Sequence, residues 1–238
     1  MARISIKEHK ISYHHIYING IAYMYEIIPR ATPGMYMKLD RRNHIIVSKH
    51  EKITMNEVEY FIKQNIDKFA KHQTNRASFI IIDKNQHFLT INNEKHSFKV
   101  MKSTRNKYEL LQKTFYIHTT NVDEYDKIIK KLYYDYAIKA LEPLFIETAK
   151  TMHLPYEGIA FKWLISKWGC CNFSKKTITL ATQLAAFEQK YQHYVIVHEL
   201  AHLLYPNHSS DFWSVVSTYC PDWKHTRKFL NNCLVEIE

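Results

Sequence analysis

Glycine and proline are scarce in this sequence, with 4 and 6 residues among 238. This composition excludes collagen-like, elastic and other low-complexity architectures, which depend on those two residues. No stretch approaches about eighteen consecutive apolar residues, so no membrane-spanning helix is predicted. The charged N-terminal residues also lack the apolar core of a secretory signal. We therefore expect a cytoplasmic protein with no membrane partner.

Cysteine is also scarce, and the four that occur, Cys170, Cys171, Cys220 and Cys233, contain no C-x-x-C pair. Adjacent cysteines bridge each other poorly, so we expect reduced thiols, which suit the cytoplasm. The formal net charge of +10 favours encounter with anionic partners such as nucleotides or nucleic acid. Because lysines and arginines are spread along the chain in short clusters, an ordinary solvated surface is the simpler interpretation.

Alternating apolar and polar residues predict that the first fifty residues form a small antiparallel sheet, with a turn at Asn19-Gly20. An amphipathic helix is predicted from Met55 to Lys71, and a capping box at Thr54 begins it. Strand patterns return between Phe79 and His118. We therefore predict a β-rich N-terminal domain, residues 1–118, with one inserted helix.

Helical periodicity resumes at Tyr125 and continues to Met152, with a kink or restart expected near Leu141 because Pro143 interrupts it. The remaining predicted elements are two strands and three helices, at residues 159–166, 175–181, 188–205, 211–218 and 223–234. The overall prediction is an α+β fold. Residues 119–238 form its second domain, in which the helix over residues 188–205 packs behind a small sheet.

The segment that indicates chemistry is His198-Glu199-Leu200-Ala201-His202. On a helix, residues four apart project from the same face, so His198 and His202 can direct their imidazoles at one ion. Glu199 can then act on the water of that ion without ligating it. A catalytic zinc site needs three protein ligands and one open position, and His208 is the candidate for the third ligand.

One zinc ion is the predicted cofactor, and manganese, cobalt or nickel are alternatives that imidazole ligands also accept. The competing interpretation is an amphipathic helix whose histidines are merely polar surface. A thiol nucleophile at Cys170 or Cys171 is a weaker alternative, because no electropositive setting or orienting group for it is evident. We interpret His193 and His225 as surface residues.

Three parts of the sequence resemble a known family, the YgjP-like metal-dependent hydrolases, which are relatives of the SprT and WLM zincin-type proteases. The run from Val195 to Leu204, with Pro206–Ser209 and Phe212-Trp213 after it, is similar to the family's metal-binding helix. Lys167–Cys171 resembles an Arg-Trp-Gly-Ser-Cys element, and Pro221–Trp223 a Pro-Asp-Trp element. The resemblance implies a zincin-like fold for the C-terminal domain.

The resemblance also implies roles for four residues: His198, His202 and His208 as metal ligands, and Glu199 as general base. Lys167 stands where the family has arginine, and Cys170 where it has serine. These departures leave the metal site intact and affect only the loop before it.

The segment Lys167, Trp168, Gly169 and Cys170 is the candidate for substrate binding. An edge strand here would offer backbone donors and acceptors to an extended peptide. A core tryptophan beside a tight turn is the alternative for Trp168. Phe212 and Trp213 are expected to pack against the motif helix.

The predicted function is a zinc-dependent hydrolase, with a peptide or protein as the substrate, in which Glu199 activates the water on the metal. A basic groove around the metal could instead accept a nucleotide or another phosphate ester. A third hypothesis is a SprT-like nucleic-acid-associated module, in which 17 tyrosines and the excess lysines bind single strands. Structural zinc normally has four protein ligands, and only three are evident here.

Overall fold

The computed structural model describes residues 12–18, 21–39, 45–74 and 79–237. The chain divides into two compact units, Met1–Arg76 and Ala77–Glu238, and each has a hydrophobic core of its own. The turn predicted at Asn19-Gly20 lies outside the described residues. Among those residues, no helix combines the length and apolar character needed to cross a membrane.

The first unit is a four-stranded sheet followed by a helix. Its elements are β1 (Ser12–Ile18), β2 (Ile21–Arg30), β3 (Met35–Leu39), β4 (Ile45–His50) and α1 (Met55–Thr74). The strand order is β1-β2-β4-β3. Strand β4 lies between β2 and β3, and it pairs parallel with β2 and antiparallel with β3, so the prediction of a purely antiparallel sheet is wrong.

Helix α1 begins as its sequence predicts. The backbone N–H of Thr54 donates to Glu57 Oε2 at 2.7 Å, and the N–H of Glu57 donates to Thr54 Oγ1 at 3.3 Å, which confirms the capping box. The apolar face of the helix buries Val58, Ile62 and Ile66 in the core of the first unit. The spacing of these residues is the helical period on which the prediction was based.

The second unit contains a six-stranded sheet in the order β13-β5-β6-β7-β9-β8. Its strands are β5 (Phe79–Asp83), β6 (Phe88–Ile91), β7 (Glu94–Lys102), β8 (Lys107–Leu111), β9 (Thr114–Thr119) and β13 (Cys233–Ile237). The last strand of the chain, β13, pairs parallel with β5. The sheet therefore joins the two ends of this unit.

The domain boundary predicted near Thr119 falls inside the second unit, since the division lies between residues 76 and 77. Residues 79–119 do form strands, as predicted. Their core residues, such as Ile81 and Phe98, share one cluster with Leu132 and Val197. Alternation along a strand shows that one face is buried, but it does not show which segment covers that face. The predicted domains 1–118 and 119–238 therefore differ from the observed units.

Helix α2 (Tyr125–Thr151) passes through the core of the second unit. It continues through Pro143 as one element, so no restart occurs near Leu141. The helix buries residues along most of its length, among them Leu132, Leu141 and Phe145. A single helix of this length gives both sheets of the unit a common surface on which to pack.

The smaller sheet has three strands in the order β10-β12-β11, namely β10 (Gly158–Lys162), β11 (Gly169–Asn172) and β12 (Thr177–Ala181). Strand β11 runs antiparallel to β12 and forms one edge. Helix α3 (Gln189–Ala201) packs against β11 and β12. Two shorter helices follow, α4 (Ser210–Tyr219) and α5 (Trp223–Asn231). The helix predicted to reach residue 234 stops at Asn231, and β13 begins two residues later.

The fold is thus a mixed α+β structure of several small sheets and five α-helices within the described residues. The predicted fold class is confirmed at this level.

Candidate metal centre

Three imidazoles converge at the C-terminal end of α3. His198 lies on the helix, His202 directly follows its last residue, and His208 lies on the turn before α4. One ligand nitrogen from each falls within 4.8 Å of the others, and the Nε2 atoms of His208 and His198 are 3.2 Å apart. A tetrahedral zinc ion with bonds of about 2.0–2.1 Å separates its ligand nitrogens by about 3.3 Å. The donor set therefore fits one such ion.

The local sequence explains this convergence. After Ala201 the backbone tightens, because the N–H groups of Leu204 and Tyr205 both donate to the carbonyl of Ala201 at 3.0 Å. The turn at residues 206–209 reverses the chain, and Ser209 caps α4 by accepting from the N–H of Phe212 at 3.3 Å. His208 is thus held between the end of one helix and the cap of the next.

His198 and His202 differ in the hydrogen bonding of their Nδ1 atoms. His202 Nδ1 lies 3.1 Å from the carbonyl oxygen of Tyr205, a contact that directs Nε2 towards the ligand cluster. His198 Nδ1 is buried and has no hydrogen-bond partner among the described residues. Burial, with the neighbouring His202, His208 and Arg227, lowers the pKa of His198 to about 3. His198 is therefore a neutral imidazole, the form that ligates metals.

Glu199 occupies a narrow slot between α3 and β11, and only 5% of its surface is exposed. A Cβ atom at Gly169 would lie 2.6 Å from Glu199 Cγ and 2.7 Å from Oε1, which is closer than real Cβ contacts allow. Burial raises the pKa of Glu199 to about 8, and the charge of Lys167 opposes that rise. The absence of a side chain at Gly169 therefore determines where the carboxylate can lie.

The candidate substrate segment divides into exposed and buried residues. Lys167 is exposed, and Cys170 is half-buried. Trp168 is 7% exposed, and its Nε1–H donates to the carbonyl of Leu230 at 3.2 Å. The structure thus places Trp168 in the core, where it attaches the start of β11 to α5, rather than in a groove.

Strand β11 has an open edge, because among the described strands it pairs only with β12. The carbonyl of Trp168 accepts from the N–H of Ala181 at 2.8 Å, so its backbone faces β12. Backbone groups alternate in direction along a strand. The N–H and C=O groups of Gly169 and Cys171 therefore face the open edge, beside the slot that holds Glu199.

The packing of α4 and α5 brings Phe212 and Arg227 close to the histidine cluster. Phe212 is fully buried, and its ring centroid lies 5.0, 4.6 and 4.8 Å from those of His198, His202 and His208. The expected packing of Phe212 is confirmed. Arg227 was not predicted, although its guanidinium lies 5.1 Å from the ring centroid of Trp213. Its spacing of four residues from Trp223, on the same face of α5, is the signal that could have indicated it.

Two other sequence interpretations can be compared with the structure. His193 is half-buried, with its Nδ1 3.4 Å from Cys220 Sγ, so it lies only partly at the surface. Periodicity placed it away from the ligand face but did not show that Cys220, directly after α4, packs against it. Burial, Glu199 and Cys170 raise the pKa of the Cys171 thiol to about 11, which disfavours a thiolate nucleophile.

Histidines at helical spacing, a third converging imidazole and a buried carboxylate define the type of site found in metal-dependent hydrolases. Residues 34–233 match the model of the YgjP-like metallopeptidase domain, and the chain therefore belongs to the YgjP-like metallopeptidase family. The resemblance inferred from the motifs is confirmed. Membership of this family makes the protein a metal-dependent hydrolase.

The solved structures that resemble the chain include two metallopeptidase zymogens. Abylysin of Pyrococcus abyssi is 23% identical, with a TM-score of 0.37, over 41% of this chain and 99% of that chain. Jannalysin of Methanocaldococcus jannaschii is 21% identical, with a TM-score of 0.35, over 38% of this chain and 93% of that chain. No curated protein matches the sequence.

Proposed function

We propose that this protein is a zinc-dependent peptidase in which His198, His202 and His208 hold one ion and Glu199 is the general base. The observation that carries the proposal is the meeting of three imidazole nitrogens within 4.8 Å, at the C-terminal end of the helix that also carries Glu199. Three neutral nitrogen ligands with an open position are typical of catalytic zinc. The zincin-like arrangement is assigned to the second unit, where α3 packs against the three-stranded sheet.

When bound, the zinc ion supplies Lewis acidity that polarises a carbonyl and lowers the pKa of water to about 7. Glu199 takes a proton from the attacking water and passes it to the leaving amine, as a general base and then a general acid. The slot beneath Gly169 restricts the carboxylate to a narrow range of positions, so little reorganisation is needed during the transfer. The charge of Lys167 only partly opposes burial, which raises the pKa of Glu199 to about 8, and a bound cation would favour the ionised base in the same direction.

The open edge of β11 supports a peptide as the substrate. An extended peptide can add to this edge as a further strand and pair with the outward N–H and C=O groups of Gly169 and Cys171. Because Gly169 also contacts Glu199, a peptide bound along β11 passes directly beside the proposed base. Lys167, at the start of this strand, is exposed and free to contact the peptide.

The test combines metal analysis with a cleavage assay. Protein purified without added metal is analysed by mass spectrometry for zinc, manganese, cobalt and nickel, and is then incubated with a peptide library whose products are sequenced. We expect zinc at one ion per chain, and cleavage that a chelator abolishes and zinc restores. Cleavage that survives complete removal of the metal would overturn the proposal.

A second candidate is hydrolysis of a phosphate ester, and the charges of Lys167 and Arg227 favour it. The Lys167 charge acts on Glu199, and the Arg227 charge acts on His198 and His208. Neither cation forms an ion pair with a carboxylate in the described part of the chain. Nucleoside triphosphates, assayed with the same chelator control, separate this candidate from the peptidase. The family match gives no support to the nucleic-acid module.

A further inference from the structure

The third imidazole of the cluster is the most exposed and belongs to a stack of aromatic rings. The ring centroid of this imidazole, His208, lies 5.6 Å from that of Trp213, with 21° between the ring planes. Trp213 in turn lies 4.0 Å from Trp223, with 13° between the planes. The stack therefore extends from α5, through α4, to His208.

The His208 ring is held differently from that of His202. A metal-binding histidine generally donates its second ring N–H to a carboxylate, a carbonyl oxygen or water, and a protein oxygen in this role fixes the ring. His202 has such a partner in the carbonyl of Tyr205. Among the described residues, the only hydrogen-bond contact of the His208 ring is the one from Nε2 to His198. No oxygen atom in that part of the chain therefore orients its ring.

We propose that Trp213 and Trp223 are positioning residues that orient His208 for metal binding by ring stacking, in place of a hydrogen-bonded partner. The inference rests on the proposed role of His208 as a ligand. Trp213 contacts the imidazole directly, and Trp223 prevents Trp213 from turning away. Arg227, 5.1 Å from the Trp213 ring centroid, adds a cation–π contact to the same ring.

The contacts around Trp213 support this role over simple core filling. Trp213 is half-buried and is not among the fully buried aromatics, whereas its neighbour Phe212 is. Phe212 meets the His208 ring at 82° between planes, so no ring face of Phe212 lies parallel to the imidazole. The near-parallel contact with Trp213 is the one that resists tilting of the imidazole plane. Loss of an outer-shell partner typically weakens metal affinity about 10- to 100-fold.

The experiment measures zinc affinity of the full-length protein by competition with a chromophoric chelator. The variants are Trp213→Leu, Trp223→Leu and the conservative pair Trp213→Phe and Trp223→Phe. We expect Trp213→Leu to weaken zinc binding about 10- to 100-fold, and Trp223→Leu to weaken it less. The phenylalanine variants should stay within a few-fold of the wild type, because a ring remains. Trp163→Phe, in a different aromatic contact with Tyr133, is the matched control.

A double-mutant cycle shows whether the effect passes through His208. Trp213→Leu should cost no further affinity in a protein that already carries His208→Ala, because there is no imidazole left to orient. The visible spectrum of the cobalt-substituted protein should change in Trp213→Leu and return towards wild type in Trp213→Phe. Circular dichroism and melting of the metal-free proteins show whether each variant folds.

Three results would overturn the inference. One is unchanged zinc affinity in folded Trp213→Leu, and another is equal loss in the leucine and phenylalanine variants. If Trp213→Leu does not fold, the Trp223 variants decide, and equal affinity in Trp223→Leu and wild type is the third. Unchanged zinc affinity in His208→Ala alone would instead contradict the proposed ligand set, so the two failures are distinguishable.

Discussion

Glu199 and His208 belong to the same site but are held in contrasting ways. Glu199 is buried, and a backbone without a side chain at Gly169 defines its slot. His208 is exposed, and its ring is stacked against that of Trp213. The carboxylate of Glu199 is thus confined by steric exclusion, whereas the imidazole of His208 is oriented by ring stacking. Substitutions that act on Glu199 and substitutions that act on His208 should therefore have separable effects.

The largest effect is expected from His208→Ala, because two imidazoles bind a divalent ion far more weakly than three. Zinc content after dialysis should fall markedly, and hydrolysis should be lost with it. Elemental analysis of the dialysed protein measures the first, and a peptide assay the second. Full zinc occupancy in this variant would contradict the ligand assignment, and Asp211 on α4 would then be the next residue to replace.

Glu199→Gln should instead separate catalysis from metal binding. Glutamine keeps the size of the side chain but cannot accept the proton, so turnover should fall about 10²- to 10⁴-fold. Zinc content and melting temperature should stay close to those of the wild type, since the side chain is not a proposed ligand. Turnover near the wild-type level, or loss of zinc, would show that the mechanism is wrong.

Gly169→Ala tests the steric side of the contrast without changing any polar group. The added Cβ would lie 2.6 Å from Glu199 Cγ, and the simplest relief is rotation of the glutamate side chain out of its slot. A displacement of about 1 Å can cost about 10²-fold in rate, so we expect a loss of that order with zinc retained. Overpacking of this kind destabilises by about 1–3 kcal/mol.

Gly158→Ala is the matched control for that variant. It lies in the same three-stranded sheet, on β10, and its added Cβ would lie 3.7 Å from Thr177 Cγ2, an ordinary contact. Turnover and stability of Gly158→Ala should therefore remain close to wild type. If the two alanine variants lose activity equally, the slot at Gly169 has no special importance.

The difference between Glu199 and His208 also explains how much of the site could be predicted from the sequence. His198 and His202 are spaced by one helical turn, and Glu199 is next to His198, so local periodicity is enough to bring the two imidazoles together beside the glutamate. The stack on His208 depends on how α4 and α5 pack, which no local pattern shows. For the same reason the pairing of β13 with β5 was not predicted, and the domain boundary was placed near Thr119. Short-range patterns specified the elements, whereas long-range packing specified their partners.

The smallest effect concerns His96, a buried histidine outside the metal centre. It is 8% exposed, and its Nδ1 has no hydrogen-bond partner among the described residues. Burial lowers its pKa from 6.5, the nearby Lys113 acts in the same direction, and Glu94 opposes both. His96 in the folded protein therefore remains neutral at pH values where the unfolded chain takes up a proton.

The sign of the pH dependence follows from this difference. Below about pH 6.5 the unfolded state binds more protons than the folded state at His96, so the free energy of unfolding decreases as the pH falls. Below the pKa of His96 in the folded protein, both states carry the proton, so the free energy of unfolding no longer changes with pH through this group. Replacement by leucine removes this contribution together with the buried, unpartnered nitrogen. Urea unfolding of wild type and His96→Leu, from about pH 7.5 to about pH 5.5, should therefore show the wild type losing more stability. The difference in free energy of unfolding between the two proteins at each pH removes the contribution of the other histidines. If the two plots of free energy against pH are parallel, His96 is protonated in the folded state as readily as in the unfolded one.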